Sequence, residues 1–60
     1  MISIVFRTNN EFLYALQIIK DEGYKVARIN KKQLTLMFKN SQDYGLVYDM
    51  LVNNNIPFKN

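Results

Sequence analysis

Apolar and polar positions alternate with period two at the start of the chain. Ile2, Ile4 and Phe6 share one side, and Ser3, Val5 and Arg7 share the other. Successive side chains of a strand point to opposite faces, so residues 2–7 predict a first strand with one apolar face. The period then changes. Phe12, Ala15, Leu16 and Ile19 fall at helical spacing and predict a helix with one buried stripe, reaching to Glu22. Thr8 and Glu11 have the spacing of a capping box, in which the hydroxyl takes the Glu11 N–H and the Glu11 carboxylate reaches back to the Thr8 N–H. Gly23 stops the helix, because glycine adopts the left-handed conformation that helix ends require.

The second half repeats the order with a hairpin inserted. Residues 24–29 and 32–38 predict two further strands, with Leu34, Leu36 and Phe38 on one face and Asn30 and Lys31 in the turn between them. Asn40 or Ser41 caps a second helix that reaches to Asn53, with Asp43 in its first turn complementing the helix dipole. Its expected core stripe is Tyr44, Val47, Tyr48 and Leu51. Three consecutive asparagines, Asn53 to Asn55, end it. Ile56, Pro57 and Phe58 predict a short last strand, placed at a sheet edge because proline has no N–H to give a ladder.

Strand–helix–strand–strand–helix–strand is the order of two split βαβ units, and it resembles the ferredoxin-like superfold. That resemblance covers the chain by segment order and by no motif. It implies an α+β, two-layer βαββαβ sandwich, with a four-stranded antiparallel sheet in the order 4-1-3-2 and both helices on one face. One domain then spans 1–60. The expected core is Ile2, Ile4, Phe6, Phe12, Leu16, Ile19, Val26, Leu34, Leu36, Phe38, Val47, Leu51, Ile56 and Phe58. Lys25 and Arg28 fit the second strand as an edge, since charges protect edges.

Composition sharpens the picture mainly by exclusion. The sequence has no Cys and no His, so it offers no thiolate, no disulfide and no imidazole. Neither a cofactor nor a metal is expected. A domain of 60 residues buries a small fraction of its surface and commonly needs a staple, which leaves association as the remaining device. No apolar run approaches the ~20 residues of a membrane span. The start of the chain reads as a strand and not a leader, which points to the cytoplasm.

Catalysis finds little support. Ser3 and Ser41 have no base to activate them, and Ser41 is explained as a cap. The acids Glu11, Asp21, Glu22, Asp43 and Asp49 all fall on solvated helix faces. Arg7 to Asn10, between the first strand and the first helix, resembles in position the phosphate loop of acylphosphatases, but without that family's longer arginine loop. No enzyme is expected.

Association has more behind it. Val5, Ala27, Ile29, Thr35 and Met37 are expected on the sheet face away from the helices, an apolar centre ringed by Arg7, Lys25, Gln33 and Lys39. Leu13 and Tyr14 lie off the first helix stripe, and Leu46 and Met50 form a pair off the second. The leading expectation is a small binding module that docks on another macromolecule. It is expected to be a homodimer through the open sheet face, of the kind found among phage or mobile-element accessory and inhibitor proteins. With a net charge of +3, it would not act as an acidic DNA mimic.

The alternative is a single-stranded nucleic-acid binder using Arg7, Lys25, Arg28, Lys31 and Lys32, the basic residues on and around the hairpin. Its strand order resembles that of RNA-recognition-motif domains. Those domains stack bases on aromatic residues of the sheet, which the open-face positions here lack.

Overall fold

A computed structural model describes residues 2–59; the expected domain span of 1–60 thus has its two terminal residues outside the described part. The chain runs β1 (Ile2–Val5), α1 (Asn9–Glu22), β2 (Arg28–Asn30), β3 (Thr35–Phe38) and α2 (Ser41–Asn53). The strands form one antiparallel sheet in the order β1-β3-β2.

Local signals account for the helices. The Thr8 hydroxyl accepts from the Glu11 N–H at 3.3 Å, and the Asn40 side-chain oxygen accepts from the Asp43 N–H at 2.8 Å. Each occupies a donor that a helix start leaves without a partner. The return half of the expected capping box is not made: Glu11 Oε1 is buried without a hydrogen-bond partner. Gly23 ends α1 at φ 76°, and its N–H donates to the Ile19 carbonyl at 2.9 Å. Asn55, at φ 56°, supplies the left-handed residue after α2.

Both helices cover the same face of the sheet. Ile4, Phe6, Leu36 and Phe38 are fully or nearly fully buried against Phe12, Ala15 and Ile19 of α1 and Val47, Met50 and Leu51 of α2. Ring pairs tie the layers together. Phe6 meets Phe12 edge-on with centroids 5.8 Å apart, and Phe38 meets Tyr44 likewise at 5.8 Å.

Among the described residues the sheet has three strands and not four, which corrects the expected ferredoxin-like order 4-1-3-2. Residues 56–59 do lie beside β1, where the Lys59 N–H donates to the Val5 carbonyl at 2.7 Å. They form no ladder. Pro57 withholds one of the few donors so short a segment has. Hydrophobic anchoring holds the segment instead: Ile56 is buried, and the Phe58 ring packs edge-on against Phe6 and Tyr48, at 6.5 and 5.3 Å.

Other expectations shift as well: β3 begins at Thr35 and not at residue 32, and the turn before it spans residues 31–34. Residues 24–27 are not part of a strand, and β2 begins only at Arg28. The Ala27 N–H donates to the carbonyl of Met37, the residue that already faces Arg28. Two residues of one strand thus oppose one of the other, the arrangement of a β-bulge, and regular pairing stops there. In α2 the buried arc is Val47, Met50 and Leu51. Tyr48 stays at its margin, with its ring on Phe58 and Tyr44. A tyrosine carries a hydroxyl that favours such a boundary, whereas methionine fills irregular core space. Ile2, expected in the core, is exposed at the end of the sheet, while Leu16, Val26, Leu34 and Phe58 pack against the core half-buried.

Candidate docking surfaces

Strand register decides which residues share the sheet face opposite the helices. Ser3 and Arg28 both pair with Met37, and Val5 and Asn30 both pair with Thr35. That face therefore carries two rows, Ser3–Met37–Arg28 and Val5–Thr35–Asn30. Val5, Thr35 and Met37 fall where the sequence places them.

Ile29 does not. It pairs with Leu36 of the core, which puts it on the helix side. Ala27 is exposed in the bulge that precedes β2. Met50, expected on the surface beside Leu46, is 4% exposed and part of the core, while Leu46 is 53% exposed. The seven expected interface residues are thus spread over the open face, the β2 edge, the core and the outer side of α2.

The open face is also more closed than its composition suggests. Thr35 is only 6% exposed, and its hydroxyl donates to the Gln33 carbonyl at 2.9 Å. Val5 and Met37 are half-buried, and no strongly exposed large apolar side chain lies on this face among the described residues.

Exposed large apolar side chains lie elsewhere: Leu46, Tyr48 and Val52 on α2, Leu13 and Tyr14 on α1, and Ile29 on β2. Between α1 and the β2 edge lies a groove of about 540 Å³, lined by Leu13, Leu16, Gln17, Ile19, Lys20, Ile29 and Lys31. Leu13, Leu16 and Lys20 recur at helical spacing along α1, beside the stripe that α1 buries in the core. Leu13 is 48% exposed and Ile29 45%. The groove exists because β2 is only three residues long and leaves this flank of α1 without sheet beneath it. Its charged lining is basic. Asp21 of α1 is held by a groove residue, its carboxylate accepting from the Gln17 side-chain amide at 3.0 Å. Leu13 is legible in the sequence as a surplus apolar position; the part played by Ile29 is not, because it depends on the register with β3.

Of the expected basic set, Arg28 stands on the open face, Lys31 and Lys32 occupy the β2–β3 turn, and Lys25 lies in the loop before the bulge. Arg7 follows β1, on the far side of β3 from β2. The five are spread over both ends of the sheet: Lys25 lines a recess with Asn40 and Gln42, whereas Arg7 follows Phe6, which bonds to Leu34 at the end of the turn that holds Lys31 and Lys32. The open face offers no aromatic ring to a base, its rows being Ser, Met and Arg, then Val, Thr and Asn.

The recess at Lys25 has a volume of about 460 Å³ and lies between the end of α1 and the start of α2, lined mostly by polar groups, among them Lys25, Asn40, Gln42 and Asp43. Asn40 is committed to the α2 cap there. Among the described residues, no group of three or more His, Cys, Asp or Glu side chains could hold a metal ion, and no helix is long and apolar enough to cross a membrane. The chain matches no protein-family model, no curated protein and no solved structure.

Proposed function

We propose that this chain is a small non-enzymatic binding module that docks on another protein through the α1–β2 side. The observation that carries this reading is the groove: a patch of Leu13, Leu16, Ile19 and Ile29 with Gln17, Lys20 and Lys31 at its rim. An apolar centre with a polar rim is the anatomy of a protein interface. The groove holds no paired acids and no nucleophile, and its polar groups do not converge on a point where a small substrate would react.

A photo-crosslinking amino acid placed at Leu13 or Ile29, in cells that naturally make the chain, tests this reading. The expected result is one protein adduct from both positions and none from Gln42, which lines the other recess. A nuclease-sensitive adduct, or equal yield from Gln42, would overturn it.

A further inference from the structure

We propose that the partner adds a strand to the outer edge of β2, and that the added segment is extended and acidic, with an apolar side chain seated between Ile29 and Leu13. The proposal rests on the docking reading above and names its partner.

Hydrogen-bond alternation supplies the first ground. The Phe6 N–H donates to the Leu34 carbonyl at 2.8 Å, in line with the register Ile4↔Leu36 and Ile2↔Phe38. In an antiparallel ladder, the residues whose backbone groups face a given neighbour alternate along the strand. Leu34, Leu36 and Phe38 therefore direct theirs at β1, and Thr35 and Met37 direct theirs at β2. Arg28 and Asn30 pair with those two, which leaves Ile29 with its N–H and C=O pointing outward.

The same rule at the opposite edge points the Val5 carbonyl outward, and there the Lys59 N–H fills it at 2.7 Å. One edge of the sheet is thus occupied by the chain itself. At the other, no described loop or turn residue bonds to Ile29. Strand addition uses such an edge, with backbone bonds for affinity and alternate side chains for specificity. Ile29 offers both at once: free backbone groups outward and an apolar side chain in the groove with Leu13 and Leu16.

Charge selects the partner. Lys20 and Lys31 line the groove, Arg28 stands on the strand, and Lys32 follows Lys31 in the turn. Against them stand Asp21, held by Gln17, and Glu22 at the end of α1. A second copy paired edge to edge would set Arg28, Lys31 and Lys32 against their own copies, and like charges across strands repel. A carboxylate-bearing strand meets the opposite sign on both flanks of Ile29.

The test fuses an eight-residue segment of alternating Val and Glu to the end of the chain through a flexible Gly/Ser linker. The molecule is 25 Å in its longest dimension. A linker of about 20 residues spans that distance and holds the segment at roughly millimolar local concentration. The expected result is at least a tenfold slowing of hydrogen exchange at the Ile29 amide, together with shifted Leu13 and Leu16 methyl resonances. A Val/Lys segment should do neither. In the Ile29→Pro variant, which removes the outward donor but none that the ladder uses, the methyl shifts should vanish.

Methyl shifts that persist in Ile29→Pro, or that come without Ile29 protection, overturn strand addition and leave the groove as a docking surface. Perturbation confined to Ser3, Val5 and Met37 overturns both. Equal protection by the Lys segment, or none by the Glu segment, overturns the acidic partner. Sedimentation equilibrium of the unfused chain decides the remaining occupant: a dimer dissociated by Ile29→Pro would put a second copy at the edge instead.

Discussion

The outer edge of β1 and the outer edge of β2 begin alike, as rows of backbone groups without a neighbouring strand, and end differently. At β1, residues 56–59 cross the edge, with Ile56 buried and Phe58 wedged between Phe6 and Tyr48. Consecutive ring contacts run from Phe12 through Phe6, Phe58, Tyr48 and Tyr44 to Phe38, each pair 5.3 to 6.5 Å apart. At β2 no aromatic ring lines the groove; Leu13 and Ile29 stand half in water, and the flanking charges are lysines and an arginine. The difference teaches that a chain can close an edge with side-chain anchors where it lacks the donors for a strand. An edge left open can be made unwelcoming to its own copies by charge alone.

The comparison breaks most severely at the closed edge. Ile56→Ala removes a buried side chain that holds the segment on β1, and it should lower stability by about 2–5 kcal/mol. Urea denaturation measures it, and a midpoint close to that of the parent chain would mean that the segment is held some other way. A smaller loss is expected on the helix that flanks the open edge. Thr8→Ala deletes the acceptor for the Glu11 N–H and should cost about 0.5–2 kcal/mol. If the thermal midpoint does not move, that hydrogen bond contributes nothing to α1.

On the well-packed side the sign reverses. Gly45 lies within α2, and a Cβ there would meet nothing within 4 Å. Gly45→Ala should raise stability by about 0.5–1 kcal/mol, because glycine loses more backbone freedom than alanine on entering a helix. Calorimetry reads this as a higher midpoint, and a lower one would expose a packing constraint on α2. The smallest effect belongs to the open edge itself. Leu13→Ser should change stability by less than about 0.5 kcal/mol, since the side chain is already half in water. A loss as large as that of Ile56→Ala would erase the distinction between the two edges.

Signals carried within a few residues are legible in the sequence. Thr8, Gly23 and Asn40 mark helix ends through bonds that span three or four positions, and the α1 stripe follows from spacing alone. What escapes depends on distant partners. Ile29 alternates correctly with Arg28, yet its face is set by the bulge at Ala27 and by register with Leu36. The arc that α2 buries rotates toward Met50, because Tyr48 finds rings to rest on at the margin and methionine fits the space beneath. An apolar segment with a proline predicts the fourth strand; the apolar anchoring forms there and the ladder does not. The docking surface is the least legible, since the open face and the groove differ by which way one isoleucine points.

The position of β3 has a consequence for how quickly the molecule assembles. Its pairing with β2 closes a short turn, in which the Asn30 side-chain oxygen accepts from the Gln33 N–H at 3.0 Å, and hairpins of this kind form within about 1–10 μs. Its pairing with β1 joins residues about half the chain apart, and such contacts must first overcome the entropy of closing a long loop. The arrival of β1 on the hairpin is therefore the expected rate-limiting event in folding. Changes at Ile4, which faces Leu36 across that seam, should slow folding more than they speed unfolding.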